Sequence, residues 1–203
     1  MKFLLLLICF LLPFSEKIKV WKEKRGIAVV EAEHIQVRND LHPYWVSEKL
    51  VDGYSGTGYV MWGGASYIKA DYSDLYDERI LTFYVSVSKE GVYYVKIKGL
   101  CLDEWESRLL VRINGKDWHN YTIANQRTFG WDLNGKKDLC GAFMQLGYHK
   151  IEIAAIDAGF MLDKLSVVHQ DEFSEEGWPD RLMLETTKES RSEYLPSSHF
   201  KQR

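Results

Sequence analysis

The stretch Ala28-Val29-Val30-Glu31-Ala32-Glu33 decides the fold, together with a second stretch far downstream, Phe160-Met161-Leu162-Asp163-Lys164-Leu165-Ser166-Val167-Val168. Both stretches are typical of β-strands, whose side chains alternate between two faces. The first strand is expected to present on one face Ile27, Val29, Glu31 and Glu33, and the second Met161, Asp163, Leu165 and Val167. Each apolar row therefore carries carboxylates in line with it.

The three carboxylates of these rows, Glu31, Glu33 and Asp163, need a counter-charge if they lie inside the protein. A buried carboxylate is costly unless it is paired or coordinates a metal. Carboxylate oxygens without thiols or clustered histidines favour calcium, which takes about 6–8 oxygen ligands. The residues thus predict a calcium site at the strand ends. The alternative is that Glu31 and Glu33 lie on a solvated face at a sheet edge.

Length, composition and charge narrow the class of protein. The chain has 203 residues, of which 46% are hydrophobic and 14% aromatic, enough for one domain with a substantial core. The formal net charge is −3 and there is no long basic run. The basic surface expected of a nucleic-acid-binding protein is therefore missing from the sequence.

The N-terminus has the layout of a secretory signal peptide over residues 1–15. It contains Lys2, then an unbroken apolar run from Phe3 to Leu12, then Pro13 and Ser15. The run is too short to span a bilayer, which takes about 20 apolar residues. We therefore expect an exported protein, secreted or periplasmic, with no membrane span in the mature chain.

The cysteines leave two possibilities open. Cys9 lies within the predicted signal peptide, so the exported chain retains Cys101 and Cys140. An oxidising compartment permits a disulfide between them. Their separation in sequence does not give their separation in space, so a disulfide and two isolated buried thiols are both compatible with the sequence.

An all-β rhythm fills residues 26–170. Short strand-like runs, separated by glycine-containing turns, are predicted at 27–33, 58–62, 66–70, 80–87, 92–98, 108–113, 142–146, 150–156 and 160–168. Many short strands of this kind predict a β-sandwich or jelly roll. Residues 16–25 are predicted to be a charged linker, and residues 171–203 a polar, poorly ordered tail outside the core.

The sequence contains no recognisable catalytic signature. It has no histidine pair at zinc-like spacing, no Gly-x-Ser-x-Gly elbow and no dinucleotide-binding glycine pattern. We therefore expect no enzymatic activity. Aromatic side chains are the stronger signal, because many lie in or beside predicted loops. Flat rings in such places match the apolar faces of sugars, although plugging the ends of the sandwich is the structural alternative.

Six motifs in a fixed order resemble the carbohydrate-binding modules of families six and thirty-five. They are Val30-Glu31-Ala32-Glu33, Asp52-Gly53-Tyr54-Ser55-Gly56-Thr57-Gly58-Tyr59-Val60, Lys89-Glu90-Gly91-Val92-Tyr93-Tyr94-Val95, Val111-Arg112-Ile113-Asn114-Gly115, Leu146-Gly147-Tyr148-His149-Lys150-Ile151 and Gly159-Phe160-Met161-Leu162-Asp163. The resemblance covers residues 27–168. It implies a galactose-binding-like β-sandwich jelly roll, non-catalytic and attached to or secreted beside glycan-degrading enzymes.

The resemblance also implies a metal site. In such modules the two acids of the first strand and the acid of the last hold a structural calcium ion, and these acids match Glu31, Glu33 and Asp163. Main-chain carbonyl groups near residues 49–53 are expected to complete the shell.

A glycan cleft is implied at the loop end of the sandwich. The matching positions for its walls are Tyr59 and Trp131, with Trp62 as a further wall. Family-six members often carry an asparagine that bonds sugar hydroxyls where this chain has Met161. The alternative is therefore a structural or interaction module of the same fold, which docks an enzyme or envelope partner and has a vestigial cleft.

Overall fold

The computed structural model describes residues 16–35, 44–67, 72, 75–101, 106–124, 127–132, 139–174 and 188–200. The predicted signal peptide lies outside the described residues. The strands are β1 Lys17–Lys22, β2 Ile27–Glu31, β3 Trp45–Glu48, β4 Tyr59–Trp62, β5 Ile80–Val87, β6 Gly91–Cys101, β7 Glu106–Ile113, β8 His119–Ala124, β9 Gly130–Trp131, β10 Gly141–Met144, β11 Gly147–Ala155, β12 Phe160–His169 and β13 Ser192–Pro196. No helix among these residues is long and apolar enough to cross a membrane.

Two sheets form the predicted β-sandwich. One has the order β13-β1-β5-β11-β7-β8, and the other has the order β10-β6-β12-β4-β3, with β2 paired to β12 and β9 paired to β6. The pairing is antiparallel throughout except between β1 and β5. The all-β fold predicted from the sequence is confirmed.

The core lies between the two sheets because their strands alternate apolar and polar residues. β5 illustrates the pattern: Leu81, Phe83 and Val85 are fully buried, whereas Thr82 and Tyr84 are only partly buried. β12 is different, since all ten of its residues are buried. It lies at the centre of its sheet, between β6 on one side and β4 followed by β2 on the other.

Asp163 interrupts the alternation in β12. The register with β6 shifts between Leu162 and Lys164, so Asp163 is the extra residue of a β-bulge. As a result, Leu162 and Leu165 both face the main core, whereas Met161 packs in a separate cluster. The prediction that Met161, Asp163 and Leu165 share one face is therefore wrong, because a bulge exchanges the two faces of a strand.

The two ends of the described chain also differ from the prediction. The segment predicted as a charged linker contains β1, and the segment predicted as a disordered tail contains β13. The two strands pair with each other from Lys17 with Pro196 to Trp21 with Ser192. Both were missed because they lie in stretches of charged and polar residues: β1 carries three lysines, and β13, at the edge of its sheet, begins with Ser192 and Glu193.

Cys101 and Cys140 are both buried and free. The carbonyl of Cys140 accepts a hydrogen bond from the amide of Val95, which lies six residues before Cys101 along β6. That stretch of strand spans about 20 Å, whereas the Cα atoms of a disulfide lie within about 7 Å. Burial raises the pKa of the Cys140 thiol to about 11, which keeps it protonated.

Candidate functional site

The three predicted metal ligands lie close together where β2 ends and β12 bulges. Glu31 is the last residue of β2, and Glu33 lies in the 3-10 helix that follows it, Ala32–His34. Asp163 occupies the bulge at which the neighbour of β12 changes from β4 to β2. We call Glu31, Glu33 and Asp163 the acidic cluster.

The loop that precedes β4 fills the space between these carboxylates. The amide of Ser55 donates to Asp163 Oδ1 at 2.9 Å. The Ser55 hydroxyl lies 2.8 Å from Glu31 Oε2 and 3.0 Å from Asp163 Oδ1. The amide of Thr57 donates to Glu33 Oε1 at 2.6 Å. The loop therefore holds all three carboxylates by hydrogen bonds.

Gly56 is what allows the loop to come this close. Its φ of +64° lies in the left-handed region, and a Cβ atom there would lie 2.1 Å from Glu33 Oε1 and 3.4 Å from Glu31 Oε2. The backbone conformation disfavours any side chain here, and Glu33 would have to move to make space for one.

Two buried lysines complete the site. Lys98 Nζ lies 3.2 Å from Asp163 Oδ2, and Lys164 Nζ lies 2.9 Å from Glu31 Oε1. The lysine side chains are only 9% and 6% exposed. Their burial was not predicted from the sequence, because lysine is rarely buried unless it is paired. The available signal was their position inside strongly apolar strands.

The pKa of Asp163 is raised above its ordinary value. Burial is the largest cause, since it disfavours the charged form, and it outweighs the lowering effects of Lys98 and Ser55. The site therefore holds a carboxylate that depends on its partners for charge compensation.

The arrangement of the acidic cluster does not fit calcium as it stands. Five of the six carboxylate oxygens already contact a lysine, a hydroxyl or a backbone amide, and only Glu33 Oε2 is buried without a partner. In the described part of the chain, no group of three or more histidine, cysteine, aspartate or glutamate side chains has the arrangement of a metal site. Calcium binding by this chain stays a prediction.

The predicted glycan-stacking residues all lie in strands and are buried. Tyr59 and Trp62 are in β4 and Trp131 is in β9, and each is about 1% exposed. The structure does not bring the three together. Tyr59 packs with Phe129, Trp62 belongs to the main core, and Trp131 packs with the β2 face that carries Val29. The three rings therefore do not form the walls of one cleft, and at this burial none of them offers a face to a ligand.

A different aromatic group lies beside the acidic cluster. Tyr54, which precedes Ser55, has its ring centroid 5.7 Å from that of Tyr59 and 6.4 Å from that of Phe129. Tyr59 and Phe129 are themselves 5.0 Å apart. We call Tyr54, Tyr59 and Phe129 the aromatic cluster. Tyr54 is its only partly exposed ring, and Met161 packs at its base.

Comparison with known proteins identifies the fold. No protein-family model matches the sequence, and no curated protein matches it. A family 35 carbohydrate binding module from Clostridium thermocellum has a similar structure, with a TM-score of 0.50 and 18% identity over 70% of this chain and 96% of that one. A Podospora anserina GH26-CBM35 beta-(1,4)-mannanase gives a TM-score of 0.54 at 16% identity over 72% of this chain.

A cycloalternan-forming enzyme from Listeria monocytogenes is also similar, with a TM-score of 0.52 and 19% identity over 70% of this chain. The matched region spans 28% of the mannanase and 12% of the Listeria enzyme, but 96% of the isolated module. At these identities the likeness shows the fold. It confirms the predicted galactose-binding-like β-sandwich as the fold of this chain.

Proposed function

We propose that this protein is an exported, non-catalytic carbohydrate-binding module. The observation that carries the proposal is the aromatic cluster, which lies beside the acidic cluster on a sandwich of the family 35 type. The similar structures include both a family 35 carbohydrate binding module and a GH26-CBM35 mannanase. Their names support attachment to, or secretion beside, such an enzyme as part of the proposal.

Tyr54 is the residue that we expect to stack on a sugar ring. Its ring is partly exposed, and contacts with Tyr59 and Phe129 fix its orientation before a ligand arrives. A rigid aromatic side chain loses little conformational entropy on binding, which favours affinity. Tyr59 thus keeps a role in the proposed site, as support and not as the stacking ring.

Polar side chains flank Tyr54 on two loops. Asp52 is exposed on the same loop, and Thr128 is exposed on the loop that carries Phe129. The two loops are close, since a Cβ atom at Gly53 would lie 3.8 Å from both Thr128 and the amide of Phe129. The hydroxyl and carboxylate of these neighbours are suited to bond sugar hydroxyls beside the stacked ring.

The test is a glycan array with the chain from Glu16 to Arg203, followed by calorimetric titration of any glycan that binds. We expect Tyr54→Ala to weaken binding by about 1–3 kcal/mol, the scale of losing an aromatic contact at a binding centre. The matched control is Tyr194→Ala, because Tyr194 is an exposed aromatic residue on β13, in the opposite sheet. Equal losses in the two variants, or no glycan binding at all, would reject the proposal.

The interaction module is the second candidate function. It is favoured by exposed apolar side chains on and beside β3, which is an edge strand among the described residues, namely Tyr44, Val46 and Leu50. An edge strand with apolar neighbours is suited to pairing with a strand of another protein. Stable capture of one protein partner from the native secretome, together with silence on the glycan array, would favour this function.

A further inference from the structure

We propose that Lys98 and Lys164 supply the positive charge of the acidic cluster, so that the sandwich folds and stays folded without calcium. The resemblance to carbohydrate-binding modules assigns this role to a metal ion. In this chain the two ammonium groups contact the carboxylates of Asp163 and Glu31 directly, at 3.2 and 2.9 Å. The proposal concerns the stability of the fold and is independent of glycan binding.

The register of the sheet places the two lysines next to the acidic cluster. Lys164 is directly opposite Glu31 in the pairing of β12 with β2, and directly opposite Lys98 in the pairing of β12 with β6. Asp163 is the bulge residue next to Lys164. The two lysines therefore lie side by side on neighbouring strands, and each has its own carboxylate, Asp163 for Lys98 and Glu31 for Lys164. The Ser55 hydroxyl lies between Asp163 and Glu31.

Burial makes these ion pairs difficult to exchange for a metal. The side chains of Asp163 and Glu31 are 0% and 9% exposed, and the lysines are nearly as inaccessible. A calcium ion that took over these carboxylates would leave two ammonium groups buried beside a divalent cation. Buried charges without a partner are strongly unfavourable, so the lysines oppose metal binding.

The charge balance leads to the same conclusion. Three carboxylates and two lysines leave one net negative charge. This charge is stabilised by hydrogen bonds from the amides of Ser55 and Thr57 and from the Ser55 hydroxyl. Backbone amides that donate to a carboxylate stabilise its charged form. A further divalent cation would give the cluster a net positive charge beside the buried side chains of Lys98 and Lys164.

The proposal is tested by thermal melting of the chain from Glu16 to Arg203, with excess calcium and with a chelator. We expect the same Tm in both conditions. Lys98→Met and Lys164→Met should each melt at a lower temperature with chelator and recover part of the loss with calcium, because each frees one carboxylate. The control is Lys22→Met, which removes an exposed ion pair with Glu193 and should change Tm little in either condition.

Direct titration with calcium provides a second measurement that does not depend on melting. We expect the affinity of the parent chain for calcium to be at least about tenfold weaker than that of Lys164→Met. Lys164→Arg, which keeps the charge, should behave like the parent.

The proposal is overturned if chelation lowers the Tm of the parent, if the parent binds calcium as tightly as Lys164→Met, or if both methionine variants are as stable as the parent. If neither methionine variant folds, the parent decides the outcome: an unchanged Tm in chelator supports the proposal, and a lowered Tm rejects it.

Discussion

At the scale of single residues, Gly56 sets how closely the loop approaches the acidic cluster. Its left-handed backbone costs an alanine about 1–2 kcal/mol by conformation alone, and a Cβ atom would also collide with Glu33 Oε1. We expect Gly56→Ala to lower the free energy of unfolding by more than the conformational cost, because Glu33 must move and release the amide of Thr57. Urea unfolding measures the loss.

Gly115 provides the matched control for this substitution. Its φ of +69° is similar to that of Gly56, but a Cβ atom there meets nothing within 4 Å. Gly115→Ala should therefore show the conformational cost alone. If the two alanine variants lose the same stability, Glu33 moves freely and the close approach at Gly56 does not matter.

Single residues also show where sequence reasoning succeeded and failed. The proximity of Glu31, Glu33 and Asp163 was predictable, because carboxylates in line with apolar strand residues are costly to bury unless they share a partner. Their lysine partners were not, because pairing across strands depends on a register that the sequence does not reveal. The burial of Trp131 was missed because it lies in a strand of only two residues, β9, which looks like a loop in sequence.

At the scale of secondary-structure elements, the register of β11 with β7 places Glu152 opposite Arg112. The guanidinium binds the carboxylate through two contacts of 2.7 and 3.0 Å. Burial by itself raises the pKa of Glu152, but the bonds from Arg112 and Lys150 outweigh it and hold the pKa below its ordinary value. The stability that this ion pair adds to the pairing of β11 with β7 therefore depends on whether Glu152 is ionised, and so on pH.

We expect Glu152→Gln to lose about 2 kcal/mol of stability at neutral pH, the scale of hydrogen bonds to a charged group. A carboxyl whose pKa is lower in the folded state contributes stability above its unfolded pKa, about 4.3 for glutamate, and loses it as the pH falls through the folded pKa. The difference between parent and variant in urea unfolding should thus shrink as the medium becomes acidic.

Glu193→Gln is the control for this pH series, because its ion pair with Lys22 is exposed and exposed pairs contribute little. A difference between Glu152→Gln and the parent that stays constant from neutral to acidic pH would show that the carboxylate charge does not stabilise the pairing of β11 with β7.

Elements with a clear alternating pattern were predicted well, and irregular ones were not. The predicted run 80–87 coincides with β5, because its apolar residues recur at every second position over eight residues. The bulge in β12 escaped prediction, since an apolar strand that is buried on both faces carries no alternation to reveal a shift.

At the scale of the whole molecule, the C-terminal segment joins the two sheets. Residues 192–196 extend one sheet by pairing with β1, while Ser190 bonds the edge of β2 in the other. The amide of Ser190 donates to the carbonyl of Val29, and its hydroxyl accepts from the amide of Val29, both at 2.9 Å. Glu189 accepts from the indole of Trp21 at 2.9 Å. The segment thus closes one side of the sandwich.

Truncation after Thr187 should therefore destabilise the whole sandwich. The loss of the β13 pairing and of the bonds to Val29 and Trp21 removes several hydrogen bonds worth about 1 kcal/mol each, so we expect a decrease of at least about 3 kcal/mol in the free energy of unfolding. The exposed edge of β1 should also promote self-association, which light scattering detects as a mass above that of the monomer.

Glu189→Gln is the milder control, since it keeps the strand pairing and weakens only the contacts to Trp21 and His34. A truncated chain that stays monomeric and unfolds at the same urea concentration as the full chain would show that the segment lies on the sandwich without holding it together.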